Sequence, residues 1–167
     1  MSRVHIHGQD TAQKSGELKA TGKKSILVVD DDRAILKTFR DALQSEGYRV
    51  DTAETGKEAI ERSKARFYNL ALIDIRLPDM EGTELLTSMK ETTPKMVTLI
   101  VTGYPSLQNA IEAVNRGADG YVLKPINMGK LLVTIREHLK KQEEAKKYGE
   151  EKVKEFIETR VKELGFP

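Results

Sequence analysis

Short apolar runs of strand character alternate along this chain with apolar positions at helical spacing. Ile26-Leu27-Val28-Val29 is a continuous β-branched run, the pattern of a strand buried on both faces of a parallel sheet. It stops at Asp30-Asp31-Asp32. Ile35, Leu36, Phe39, Ala42 and Leu43 then fall on one helical face until Gly47, a natural C-terminal cap, and Tyr48 to Thr52 predicts a second strand. Thr55-Gly56-Lys57-Glu58 has the form of a capping box and opens a helix with Ala59 and Ile60 on its inner side. Leu70 to Ile73 predicts a third strand ending at Asp74. The turn Pro78-Asp79-Met80-Glu81-Gly82 leads into a helix marked by Leu85, Leu86 and Met89.

Met96 to Val101 predicts a fourth strand running into Thr102-Gly103. Ser106 can cap a helix bearing Leu107, Ala110, Ile111 and Val114, closed by Gly117. Gly120 to Leu123 predicts a fifth strand, followed by Lys124-Pro125. Asn127 can cap a last helix with Leu131, Leu132, Ile135 and Leu139 on one face. Five strands alternating with five helices imply right-handed crossovers and an α/β fold, an open parallel sheet covered on both sides.

Charge divides the chain in three. The whole has 167 residues, 28 basic and 26 acidic, for a net charge of +2. Residues 1–24 hold Arg3, Lys14, Lys19, Lys23 and Lys24 against Asp10 and Glu17, with no apolar periodicity, and read as a flexible leader. Residues 25–140 carry the apolar runs and form the folded domain. Residues 141–167 are rich in Lys and Glu, with Val153, Phe156, Ile157, Val161 and Leu164 at helical spacing, and predict an amphipathic C-terminal extension. Gly149 argues against one unbroken helix from 127 to 164.

Composition removes whole classes of chemistry. With no Cys there is no disulfide, thiolate metal site or Cys nucleophile, and with no Trp and 5% aromatics a stacking surface for single strands is not expected. No apolar run approaches the ~18 residues of a membrane span, and no signal segment opens the chain, so a cytoplasmic protein is expected. The tail lacks a basic recognition stripe, and specific DNA binding is not expected.

In an open parallel sheet, ligands bind beyond the carboxyl ends of the strands. The predicted strands deliver Asp30, Asp31, Asp74, Thr102 and Lys124 to that edge. Each has an ordinary explanation when taken alone. Asp after a strand often caps the next helix, the reading kept for Asp32. The coincidence of all five is what carries weight. Crowded carboxylates repel, a divalent ion with oxygen ligands relieves them, and Mg²⁺ suits a set without soft donors. One carboxylate can then serve as a nucleophile toward phosphorus, with Lys124 taking up charge.

Four segments together resemble the receiver domain of two-component response regulators. They are Ile26 to Asp32, Leu72-Ile73-Asp74-Ile75-Arg76-Leu77-Pro78-Asp79-Met80-Glu81-Gly82, Leu99-Ile100-Val101-Thr102-Gly103-Tyr104, and Gly120-Tyr121-Val122-Leu123-Lys124-Pro125. The resemblance spans about residues 25–140. It implies a flavodoxin-like doubly wound sheet of order 2-1-3-4-5, with Asp74 accepting a phosphoryl group from a histidine kinase or phosphotransfer protein. It also implies Mg²⁺ held directly by Asp31, Asp74 and the backbone carbonyl of Arg76, with Asp30 acting through water. Lys124 and Thr102 contact the phosphoryl group, and Tyr121 answers Thr102 as the switch, although a half-buried strand aromatic explains Tyr121 equally well. Gly103 leaves access to the phosphate, Lys124-Pro125 is expected to be cis, and Arg76 and Tyr104 are placed to tune loss of the phosphoryl group.

Such a chain is a phosphoacceptor switch rather than a turnover enzyme. An Asp-nucleophile phosphohydrolase needs a second carboxylate two residues on, where this chain has Arg76. A flavin binder needs a phosphate cradle where this chain has aspartates. His5, His7 and His138 are not placed as metal ligands. The tail leaves three occupants for its apolar strip: the receiver itself, a second copy, or a partner helix. A receiver portion or linker of a larger kinase or regulator is the alternative to a stand-alone receiver.

Overall fold

The structure, a computed structural model, describes residues 22–103 and 106–165. Five strands, β1 (Ser25–Val29), β2 (Arg49–Ala53), β3 (Leu70–Asp74), β4 (Val97–Thr102) and β5 (Gly120–Leu123), form one parallel sheet in the order β2-β1-β3-β4-β5. Five helices alternate with them: α1 (Arg33–Ser45), α2 (Gly56–Ala65), α3 (Gly82–Thr92), α4 (Leu107–Asn115) and α5 (Met128–Glu163).

The sheet separates two apolar layers. On one face Ile26, Val28, Leu72 and Leu99 meet Leu36, Phe39 and Leu43 of α1 and Leu131, Ile135 and Leu139 of α5. On the other, Leu27, Ile73 and Ile100 meet Ala59 of α2, Leu85, Leu86 and Met89 of α3 and Ala113 of α4. Successive strand residues point to opposite faces, so strands covered on both sides must be apolar throughout. That is why the runs are continuous.

Helix ends follow the predicted caps. Asp32 accepts hydrogen bonds from the N–H groups of Ala34 and Ile35, Thr55 from Glu58, Ser106 from Asn109 and Asn127 from Lys130. Gly47 and Gly117 adopt φ of 91° and 95°, the left-handed conformation in which a helix turns back into a strand. The Lys124–Pro125 bond is cis, as the resemblance implies.

Several boundaries differ from the sequence reading, β2 and β4 among them, each lying one residue later than predicted. Asp74 and Thr102 are the last residues of their strands rather than the first beyond them, because the ladder continues through Ile75 N–H to Val101 O (3.2 Å) and Lys124 N–H to Thr102 O (2.8 Å). Gly149 lies inside an unbroken α5 of 36 residues. Lys24, assigned to the leader, belongs to the fold: its carbonyl accepts from Arg49 N–H at 2.9 Å and its ammonium pairs with Glu143. The remaining leader residues 1–21 lie outside the described residues.

The stripe on α4 does not face inward. Ala113 is its buried residue, whereas Leu107, Ile111 and Val114 are exposed, with Leu123 of β5 also in solvent. Among the described residues no helix is long and apolar enough to cross a membrane.

Candidate functional site

The carboxyl ends of β1, β3, β4 and β5 converge. Asp31, Asp74, Arg76, Gly103 and Lys124 line a pocket of about 470 Å³. Carboxylate oxygens of Asp30, Asp31 and Asp74 all lie within 4.8 Å of one another. Asp30 and Asp74 are buried and Asp31 is exposed, so the cluster opens to solvent on one side. Lys124 Nζ reaches across it, donating to Asp30 Oδ2 at 3.0 Å and to Asp74 Oδ2 at 3.3 Å.

Local backbone donors hold the carboxylates in place. Asp30 Oδ1 accepts from Asp32 N–H at 2.9 Å, and Asp74 Oδ1 accepts from Arg76 N–H at 3.3 Å. Burial raises the Asp74 carboxyl above its ordinary value and the charge of Asp30 adds to this, while Lys124 and the Arg76 N–H oppose it. For Lys124, burial alone would lower the value. The hydrogen bond and charge of Asp30, joined by Asp74, outweigh burial and keep the ammonium protonated.

Thr102 is buried at the end of β4 and joined to Lys124 through the backbone bond already described. Tyr121 pairs in register with Ile100, and Thr102, two residues beyond Ile100, faces the same side of the sheet. The Tyr121 ring packs on the α2–α3–α4 layer, and its hydroxyl is buried without a hydrogen-bond partner. A Cβ at Gly103 would make ordinary contacts at 3.8 Å with Lys124, so the pocket wall there is open rather than crowded. Tyr104 lies outside the described residues, as do His5 and His7.

The loop after Asp74 is closed on itself and fastened to α2. Gly82 N–H donates to Ile75 O at 2.7 Å, and a Cβ at Gly82 would stand 2.2 Å from the Asp74 carbonyl, so only glycine admits this approach. Asp79, read from sequence as a turn residue, accepts from Gly56 N–H and Lys57 N–H, both at 2.9 Å. It thereby caps α2 from 22 residues away. Met80 packs directly over Gly56. A Pro-Asp turn carries no local sign of such a distant partner, which is why the sequence reading missed it.

Residues 26–136 match the response regulator receiver domain family. The chain belongs to that family. A receiver domain protein from Methanospirillum hungatei, described as CheY-like, superposes with a TM-score of 0.73 at 48% identity, covering 74% of this chain and 99% of that one. The beryllofluoride-activated NtrC4 receiver domain dimer gives 0.68 at 32% identity, covering 71% and 98%. The transcriptional regulatory protein ZraR of Klebsiella oxytoca is 40% identical over 114 residues, 68% of this chain but 26% of that protein. The chain thus spans about a quarter of the length of the curated relatives it matches. Receivers are phosphoacceptor switches, and the acidic cluster lies where the sequence reading placed such a site.

Proposed function

We propose that Asp74 is the phosphoacceptor of this receiver and takes its phosphoryl group from a phosphohistidine of a histidine kinase or phosphotransfer protein. The observation that carries this reading is Lys124 bridging Asp30 and Asp74 at the mouth of an open pocket. Asp74 is the buried carboxylate that lines this pocket, with the Arg76 N–H on Oδ1 and the Lys124 ammonium on Oδ2. Its oxygen forms the new P–O bond as the P–N bond to imidazole breaks.

The donor set fits a hard divalent ion, being oxygen throughout with three carboxylates within reach of one another. Asp31, Asp74 and the Arg76 carbonyl would hold Mg²⁺ directly and Asp30 through water. When bound, the ion offsets the negative charge gathered by the carboxylates and the phosphoryl oxygens. Lys124 neutralises a phosphoryl oxygen from the β5 side. The Thr102 hydroxyl takes another, and the change at Thr102 is passed to Tyr121 on the same sheet face. Arg76, exposed at the pocket rim, modulates access of water to the phosphoryl group.

The output surface is the α4–β5–α5 face, where Leu107, Ile111, Val114 and Leu123 stand exposed. We read it as a protein-binding face rather than a DNA-binding one. A second reading, the receiver portion of a longer regulator, is favoured by the quarter-length match to ZraR.

Beryllofluoride with Mg²⁺ tests the assignment, since it mimics a phosphoryl group on a carboxylate. Calorimetry should show binding to the wild type and none to Asp74→Ala. Equal binding by both would overturn it.

A further inference from the structure

Two kinds of contact hold α5 to the domain. Leu131, Ile135 and Leu139 are buried against the sheet. Apolar burial is non-directional, so such a row fixes the depth of a helix better than its tilt or rotation. Directional bonds follow at the next turn. Gln142 Nε2 donates to the carbonyl oxygens of Asn69 (2.9 Å) and Lys95 (3.0 Å), and Glu143 pairs with Lys24. Gln142 and Glu143 are half-buried, whereas every described residue from 144 onward is exposed. Among the described residues these two are the last of α5 that the domain covers.

Their partners are themselves fixed. Lys24, Asn69 and Lys95 precede β1, β3 and β4, at the end of the sheet opposite Asp74 and Lys124. Asn69 Oδ1 accepts from Ser25 N–H at 2.9 Å, and the Asn69 carbonyl accepts from Val97 N–H at 3.0 Å as well as from Gln142. The Lys24 carbonyl accepts from Arg49 N–H at 2.9 Å. Two consecutive side chains of α5 thereby reach a hydrogen-bonded seam that joins the starts of β1, β2, β3 and β4. The Gln142 amide has two N–H groups and two acceptors on separate strand entries, which restrains rotation of the helix as well as its tilt.

We propose that Gln142 and Glu143 are a latch that sets the direction of residues 144–163, which leave the domain as a rigid arm rather than a hinged tail. At 1.5 Å per residue the arm is about 30 Å long. Helices nucleate with difficulty and propagate easily, so a segment continued from a fixed turn inherits its direction. The helix runs unbroken through Gly149, where a hinge was expected. Lys152 with Glu155, Lys154 with Glu158 and Arg160 with Glu163 support it locally. Because α5 is capped by Asn127, shortly after Lys124, one helix extends from the edge of the Asp74 pocket to the tip of the arm. The latch is its last fixed point.

The latch lies at the far end of the sheet from Asp74 and does not rest on the chemistry proposed there. The chain has no cysteine, so Lys64→Cys on α2 and Glu151→Cys on the arm, both exposed, take one spin label each. Doubly labelled protein diluted into excess unlabelled chain reports the distance within one molecule. Double electron–electron resonance should give one narrow distance distribution. Gln142→Ala/Glu143→Ala should broaden it roughly twofold with the circular dichroism unchanged, the sign of a helix that tilts without melting. At neutral pH Gln142→Glu keeps the size of the side chain but offers no N–H to the two carbonyls, and should broaden the distribution too. A wild-type distribution as broad as that of the double variant, or a Gln142→Glu distribution as narrow as wild type, would sink the latch. Hydrogen exchange on the wild type gives a second reading. Slow exchange should extend past Leu139 to Lys147, the residue whose helical bond ends on Glu143. Protection that stops at Leu139 would count equally against it.

Discussion

Lys124 Nζ stands 3.0 Å from Asp30 Oδ2, so an ammonium at the end of β5 is held by a carboxylate at the end of β1, two strands beyond its neighbour β4. The same nitrogen reaches Asp74 at 3.3 Å. In this state one cation answers two buried carboxylates. Each competes for it with any group that arrives in the pocket.

Removing that cation leaves Asp30 and Asp74 facing each other uncompensated. Lys124→Ala should therefore lower the stability of the metal-free protein by about 2–4 kcal/mol in urea titrations, with part regained at saturating Mg²⁺. Acetyl phosphate should still modify Asp74 slowly, because the nucleophile remains. An unchanged urea midpoint would show that the carboxylates do not depend on Lys124.

Asp74→Asn should act in the opposite direction. Burial and the charge of Asp30 raise the Asp74 carboxyl, so the folded protein holds this proton to higher pH than the unfolded chain does. The stabilisation it lends is complete below the unfolded value and lost as pH rises through the folded one. At neutral pH, without metal, the ionised group is a cost that Asn removes. The variant should then unfold later than wild type, with the gap closing on acidification. Mg²⁺ should reverse the order by stabilising wild type more. Thermal unfolding from pH 3 to 8, with Mg²⁺ or with chelator, checks both halves.

Asp79→Ala removes two accepting oxygens from the start of α2 and unfastens the loop that carries Arg76. The expected loss is about 1 kcal/mol at neutral pH, and a several-fold fall in Mg²⁺ affinity by calorimetry. The N–H groups of Lys57 and Gly56 lower the Asp79 carboxyl below its ordinary value. Its contribution is therefore present above the unfolded value and fades as pH falls through the folded one. A destabilisation that persisted undiminished in acid would mean the cap is not ionic.

The topology was legible because the central strands β1, β3 and β4 are buried throughout and largely apolar on both sides, and the helix starts because Asp32, Thr55, Ser106 and Asn127 cap locally. The residues that converge on the pocket were legible for the same reason, since a parallel sheet collects strand ends on one edge. What escaped depends on distant partners or on solvent. The α4 stripe looks like a buried face, yet Ala113 alone is covered and Leu107 and Val114 are exposed. Gly149 looks like a break, but its cost of about 1 kcal/mol is small beside an unbroken ladder of helical hydrogen bonds on either side. The Asp79 cap joins segments that no short-range pattern links.

Tyr121 carries the last expectation. Its hydroxyl is buried without a partner while its ring packs among apolar side chains. A buried hydroxyl that donates to nothing costs free energy, so Tyr121→Phe should leave the unmodified protein as stable or stabilise it by up to about 1–2 kcal/mol. Tyr121→Ala removes the ring as well, and should cost about 3 kcal/mol or more. Urea midpoints of the two variants separate hydroxyl from ring. If the role proposed for Tyr121 is right, the ring responds to Thr102, and Thr102→Ala should abolish the change in Tyr121 ring NMR signals that beryllofluoride produces in wild type. A Phe variant clearly less stable than wild type would show that the hydroxyl is bonded in solution. A full Tyr121 response in Thr102→Ala would sever the proposed link between the two.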